Sequence, residues 1–163
     1  MYNLPRRTLM DPLIQKIILA TDFSEASRDA SYHAVLLAQT YNAELKALHV
    51  FNPRPLGVPY YKAKKKDAHE QEDLEKTRQR GKDILKELAD SFQVKAETIF
   101  AEGDAGPEII RIATELNSDL LVVGTHGYTG WNRFALGSVA EYVVRNAPCA
   151  VLTIKPNNRH DKK

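Results

Sequence analysis

Short apolar runs alternate with longer amphipathic segments along most of the chain. In the longer segments, apolar or small residues recur every three or four positions, which is typical of helices that bury one face. Residues 120–123 are apolar without alternation, as in a parallel strand that is covered on both faces. The pattern predicts strands at 16–21, 45–51, 97–101, 120–123 and 150–154, and helices at about 24–41, 67–92, 107–116 and 138–145.

This order of elements predicts the fold class. Strands that are joined by helical crossovers imply a parallel sheet, so we expect an α/β fold with a single doubly wound, Rossmann-like sheet of five parallel strands and helices on both faces. Ligands of such folds bind beyond the carboxyl ends of the strands, where the winding direction reverses. We expect the domain to span residues 15–156, between a flexible extension at 1–14 and a disordered polar tail at 157–163.

The bulk composition excludes several classes of function. A length of 163 residues suits one domain, and a formal net charge of +2 is too small to imply a nucleic-acid partner. No stretch approaches the ~20 apolar residues of a membrane helix, and no apolar export signal follows Arg6 and Arg7. We therefore expect a cytoplasmic protein that binds neither membranes nor nucleic acids.

Candidate thiol and metal-ligating residues are few. Cys149 has no second cysteine with which to form a bridge or a zinc site, so it is either a buried small hydrophobic residue or a reactive thiol. His49 lies in a predicted strand and is expected to be a satisfied core histidine. No His, Cys or carboxylate cluster has metal-ligand spacing, so we expect no metal site formed by the protein itself.

Glycines are concentrated between the fourth strand and the fourth helix, at 124–139. Glycine permits a positive φ and close backbone approach, so successive amides of such a loop can form an anion-binding nest. The start of the next helix favours a phosphate, and Ser138 adds a hydroxyl that can also cap this helix. The spacing is neither a Walker A loop nor a dinucleotide fingerprint. From these residues alone, phosphate binding and a purely structural turn both remain open.

The glycine spacing also resembles that of a known family. Gly124-x2-Gly127-x9-Gly137-Ser138 is similar to the glycine signature of the ATP-binding branch of the universal stress protein family. Segments 17–24, 48–50 and 146–154 resemble the family's first, second and last strands, and the likeness covers about residues 16–156. It implies a fold of the adenine nucleotide alpha hydrolase type and ATP as the ligand, with any Mg or Mn ion carried by the phosphates.

The resemblance also implies roles for individual residues. It implies that Asp22 contacts the ribose, although an aspartate here can instead cap the next helix. Ala20 and Thr21 would line the same pocket, and the backbone of Val50 would meet the adenine edge. His126 would either donate a hydrogen bond to a phosphate or only stabilise the loop. The residues implied to hold the phosphates and the ribose are Gly124, Gly127, Gly137, Ser138 and Val139.

The function implied by the resemblance is that of an ATP-binding regulatory or stress-response protein, whose bound state alters its contacts with a protein client. We expect no catalytic residues and at most slow ATP hydrolysis, because the chain has no Walker-type lysine and no dedicated arginine finger. The alternative is a dimeric interaction or scaffold module of the same fold that works without nucleotide.

Two further segments bear on partners. Members of the family form dimers through the last strand, and the apolar residues Val151, Leu152 and Ile154 of that strand predict a homodimer. The lysine cluster at 62–66 is either a solvated loop, a lid over bound phosphates, or a contact for an acidic partner.

Overall fold

A computed structural model describes residues 13–54, 68–125 and 136–156. The order of five strands and four helices is as predicted, and the boundaries lie within a few residues of the predicted ones. The strands are β1 (Lys16–Ala20), β2 (Glu44–Phe51), β3 (Ala96–Glu102), β4 (Leu120–Gly124) and β5 (Ala150–Ile154). The helices are α1 (Glu25–Tyr41), α2 (Ala68–Asp90), α3 (Ala105–Glu115) and α4 (Ser138–Asn146).

The five strands form one parallel sheet with the order β3-β2-β1-β4-β5. The chain winds outward from β1 to β3, and then crosses back to place β4 on the other side of β1. In register, Ile17 lies between Leu45 of β2 and Leu120 of β4. The predicted doubly wound sheet is confirmed, and the winding direction reverses between β1 and β4.

The core lies on both faces of the sheet, because successive side chains of each strand point to opposite sides. On one face, Ile18 and Leu121 pack against α3 and α4. On the other, Leu19 and Val122 pack against α1, and a smaller cluster joins β2 to α2. The neighbouring strands β1 and β4 are therefore covered on both faces, as the unbroken apolar run at 120–123 predicts for β4.

Two helix starts show how local sequence sets the boundaries. Ser24 caps α1, since its Oγ accepts a hydrogen bond from the Ser27 amide. In α3, Pro107 is the third helical residue, where a missing N–H costs nothing because the first amides of a helix have no intrahelical partner. Within the described ranges, no helix is both long enough and apolar enough to cross a membrane.

Candidate functional site

The carboxyl ends of β1 and β4 lie side by side at the reversal of the sheet, with Ala20 in register with Val123. Past the end of β4, the Thr125 amide donates to the Ile154 carbonyl at 2.8 Å. The Thr125 carbonyl in turn accepts from the Gly137 amide at 2.7 Å. The start of α4 is thus anchored at the end of β4, where doubly wound folds bind their ligands.

Thr21, the first residue after β1, is buried, and its amide, carbonyl and hydroxyl groups all form hydrogen bonds. Its amide donates to the Leu48 carbonyl at 2.9 Å, which ties the end of β1 to β2. Its hydroxyl donates to Ser27 Oγ at 3.1 Å and accepts from the Phe23 amide at 3.0 Å. The Thr21 side chain therefore shapes the turn that leads into α1.

Asp22 is exposed at the apex of this turn, and its Oδ1 accepts from the Ser24 amide at 3.0 Å. The residue that caps α1 is Ser24, so the interpretation of Asp22 as the helix cap is wrong. A carboxylate has further acceptor sites beyond the one used for Ser24. Asp22 is therefore presented to solvent beside the carboxyl ends of β1 and β4, with capacity to accept hydroxyl donors.

His49 contacts the same turn from β2. Its Nδ1 lies 2.8 Å from the Thr21 carbonyl oxygen, and because a carbonyl only accepts, this nitrogen carries the proton. The imidazole stacks on the Phe23 ring with a centroid distance of 4.4 Å. Burial lowers the pKa of His49, although the bond to Thr21 and the charge of Asp22 act in the opposite direction. His49 is a satisfied histidine as predicted, but it is half-buried rather than fully in the core.

The helix α4 begins at Ser138, as predicted, but its cap is a different residue. Gly137 is the N-cap and makes no side-chain capping bond, so the expectation that Ser138 caps the helix is wrong: Ser138 is its first residue. The Glu141 amide closes the first turn on the Gly137 carbonyl at 2.8 Å. The amides of Ser138 and Val139 precede that bond, and both residues are exposed. Such amides and the positive end of the helix dipole attract anions.

Gly124 has a packing role that the sequence did not reveal. A Cβ at this position would lie 2.8 Å from the Ala26 carbonyl carbon and 2.9 Å from the Ser27 nitrogen. The end of β4 therefore approaches the first turn of α1 so closely that only glycine fits. This contact explains the glycine without a ligand, and the small residue Ala26 was its only signal in the sequence.

The apolar candidates lie on the face of the sheet that carries α3 and α4. Ala20 and Ala140 of α4 belong to the hydrophobic cluster of this face, and half-buried Val50 packs against that cluster. Ala20, Val50 and α4 thus lie on the same face of the sheet. His126 and Gly127 lie outside the described residues, as do the lysines at 62–66.

Cys149 is half-buried against the cluster of the α3 and α4 face. Burial, with a smaller contribution from the charge of Asp119, raises the pKa of its thiol despite a hydrogen bond with the Leu121 backbone. A thiol that stays protonated is a poor nucleophile, which favours the role of a small hydrophobic residue. Among the described residues, no group of three or more His, Cys, Asp or Glu side chains is arranged to hold a metal ion.

The chain is similar to known proteins over most of its length. The model of the Universal stress protein family matches residues 13–155. Universal stress protein MJ0531 of Methanocaldococcus jannaschii is 38% identical over 144 residues, which cover 88% of this chain and 83% of the relative. Universal stress protein YxiE of Bacillus subtilis is 34% identical over 152 residues, which cover 88% of this chain and all of the relative.

Solved structures agree with these matches. Universal stress protein UspA from Lactobacillus plantarum has a TM-score of 0.72 at 29% identity, with 86% of this chain and 97% of that chain covered. Two more distant proteins of the same fold carry adenine nucleotides: a universal stress protein in complex with cAMP, 23% identical, and an Arabidopsis thaliana protein with AMP bound, 22% identical. The family match and the curated relatives show that this chain belongs to the universal stress protein family.

Proposed function

We propose that this protein binds ATP at the carboxyl ends of β1 and β4 and works in the cytoplasm as a nucleotide-dependent regulator. The proposal rests above all on the hydrogen bond between the Gly137 amide and the Thr125 carbonyl, 2.7 Å long. This bond holds the start of α4 beside the strand ends. It brings a helix N-terminus, suited to phosphates, to the edge of the sheet that also presents the exposed carboxylate of Asp22.

The proposed contacts follow the layout of this edge. Asp22 accepts hydrogen bonds from the ribose hydroxyls, and the Val50 backbone meets the adenine edge. The side chain of Ala20 and the backbone of Thr21 border the same pocket. The phosphates lie against the amides of the glycine-rich segment and of the start of α4, and carry any Mg or Mn ion. The proposed phosphate and ribose contacts are Gly124, His126, Gly127, Gly137, Ser138 and Val139.

Adenine nucleotides in other proteins of this fold support the proposal, because cAMP and AMP share the adenosine part of ATP. We propose ATP rather than a monophosphate because the glycine spacing from Gly124 to Ser138 is similar to that of the ATP-binding branch of the family. Mass spectrometry of the ligand released from freshly purified, denatured protein identifies the bound nucleotide. Titration with ATP, AMP and cAMP then ranks their affinities.

The Asp22→Ala variant tests the ribose contact. Loss of the carboxylate leaves ribose hydroxyls unpaired and is expected to weaken ATP binding by about 1–3 kcal/mol, roughly 5- to 150-fold in Kd. Calorimetric titration measures this change. Asp90→Ala is the matched control. Asp90 is an exposed aspartate at the end of α2, just before β3 begins, and therefore lies near the amino ends of the strands and not near their carboxyl ends. Equal affinities of Asp22→Ala and Asp90→Ala would remove Asp22 from the site.

A second candidate function is a dimeric interaction module that works without nucleotide. Its support is apolar surface on α4, where Val139, Tyr142 and Val144 are 39%, 40% and 50% exposed. Among the described strands, β5 pairs only with β4 and lies at the edge of the sheet, so it is available to a second copy. We propose a homodimer through β5 in either case. Light scattering with and without ATP separates the two functions, because only the regulator changes its contacts or stability with nucleotide.

A further inference from the structure

Two residues that flank Asp22 are both held by one side chain from the neighbouring strand. His49 donates its Nδ1 proton to the Thr21 carbonyl at 2.8 Å, directly before Asp22. Its imidazole also stacks on Phe23, directly after Asp22, with ring centroids 4.4 Å apart and an interplanar angle of 27°. These two contacts of His49, which we call the clamp, therefore hold the residues on both sides of Asp22, whose carboxylate we place on the ribose.

The turn that this clamp holds has an unfavourable backbone conformation. Phe23 has a φ of 65°, in the left-handed region that bulky side chains rarely adopt. Residues persist there only where their surroundings impose the conformation, and such residues occur frequently at ligand sites. Here the Phe23 amide is held by Thr21 Oγ1 at 3.0 Å, and the Phe23 ring is held by His49. Without the clamp, the turn would relax and Asp22 would lose its fixed position.

The position of His49 in β2 connects the clamp to the rest of the proposed site. The next residue, Val50, is the one whose backbone we place at the adenine edge, and the previous residue, Leu48, accepts the Thr21 amide bond. One short stretch of β2 thus sets the distance between the base contact and the ribose contact. A carboxylate that is already in place binds hydroxyls without the entropy cost of ordering a loop.

We propose that His49 is a positioning residue that holds Asp22 for ribose hydroxyls, and so makes the site selective for ribonucleotides over nucleotides without these hydroxyls. The inference rests on the proposed ATP-binding function and adds a determinant of specificity to it. Its contribution is coupled to Asp22: removing His49 lowers affinity only through hydroxyl contacts that Asp22 makes.

Two variants of His49 separate the hydrogen bond from the ring. His49→Phe keeps an aromatic ring against Phe23 but removes the Nδ1 donor. His49→Asn removes the ring but keeps an amide N–H close to the position of Nδ1. The ligands are ATP and 2′,3′-dideoxy-ATP, which share the base and the triphosphate and differ only in the ribose hydroxyls. Calorimetry gives four affinities for the two variants and two for the unchanged protein.

The expected result is a selective loss. His49→Phe weakens ATP binding by at least about fivefold, in the range of coupling between contacting residues, and leaves dideoxy-ATP within about twofold. His49→Asn keeps the preference for ATP over dideoxy-ATP. In the double variant with Asp22→Ala, the change at His49 has no further effect on ATP, because the contact that it supports is already gone.

Other outcomes overturn the inference. An equal loss of affinity for both ligands in His49→Phe would mean that the histidine only stabilises the fold, and additive losses in the double variant would mean that it does not act through Asp22. If His49→Phe does not fold, His49→Leu, which also lacks the Nδ1 donor to the Thr21 carbonyl, must show the same selective loss. If the unchanged protein binds neither ligand, the proposed function itself is wrong and the inference fails with it; binding by the unchanged protein with an equal loss in the variant refutes the inference alone.

Discussion

The close approach between β4 and α1 at Gly124 makes the Gly124→Ala variant the sharpest test of the packing. The added methyl group would lie 2.8 Å from the carbonyl carbon of Ala26, 2.9 Å from the Ser27 nitrogen and 3.0 Å from Ala26 Cβ. Two of these atoms belong to the backbone of the first turn of α1, which cannot rotate away as a side chain can. The helix start or the end of β4 therefore has to shift.

The size of the effect follows from how firmly that turn is held. Ser27 is bonded to Ser24 through the helix cap and to Thr21 Oγ1 at 3.1 Å, so a shift of the turn disturbs both bonds. Overpacking a well-packed site costs about 1–3 kcal/mol, while alanine in place of glycine recovers about 0.4–1 kcal/mol by restricting the unfolded chain. We expect a net destabilisation of about 1–2 kcal/mol, which lowers Tm by roughly 2–8 °C for a protein of this size.

Urea unfolding followed by circular dichroism measures this free energy. Gly81→Ala is the matched control: Gly81 lies inside α2, and its nearest obstacle is the edge of the Phe100 ring at 3.0 Å. Alanine gains up to about 1 kcal/mol over glycine in a helix interior, so this variant is expected to be as stable as the unchanged protein or more stable. A Gly124→Ala protein as stable as Gly81→Ala would refute the close approach and the packing explanation of this glycine.

Three further predictions concern the turn after β1 and the start of α4. The free energy of unfolding is expected to fall less between pH 7.5 and 5.5 in His49→Phe than in the unchanged protein. Burial lowers the pKa of His49 in the fold, so as the pH falls the unfolded chain, whose histidine has a pKa of about 6.5, binds more protons than the fold and is favoured. Equal losses in the two proteins would contradict this. Ser24→Ala removes the cap of α1 and is expected to cost about 1 kcal/mol in urea unfolding, more than Ser91→Ala in the loop after α2. Gly137→Val is expected to fold, since φ −62° and ψ 150° suit any residue, yet to lose the rise in Tm with ATP because its side chain blocks the phosphates; an undiminished rise would place the ligand elsewhere.

The order and type of the elements could be predicted because they depend on local periodicity. The recurrence of Ala30 and Ala34 at helical spacing predicts the buried face of α1, and both residues are in the core. The unbroken run at 120–123 predicted a strand that is covered twice, and the sheet places it between β1 and β5. Asp22 follows β1 and Gly124 ends β4. Because the strands are parallel, the sequence alone predicts that both residues lie at the carboxyl ends of the strands.

The details of the site could not be predicted in the same way, because they depend on contacts between distant segments. Asp22 and Ser24 are both good capping residues. Phe23, which lies between them and stacks on His49 from another strand, has a positive φ, so α1 begins after it and Ser24 is the cap. The reason for glycine at 124 is likewise a helix start almost a hundred residues earlier. A sequence motif shows which residues are unusual, whereas only the packing shows whether a ligand or a neighbouring helix requires them.

The bond between Thr125 and Gly137 has a consequence for how this protein family can diversify. Thr125 and Gly137, which stand on either side of residues 126–136 in the sequence, are already joined by a hydrogen bond. Each doubling in the number of residues between two joined points of a chain adds only about 0.6 kcal/mol of closure entropy. The number of residues between Thr125 and Gly137 can therefore change among relatives at little cost while the strands and α4 keep their places.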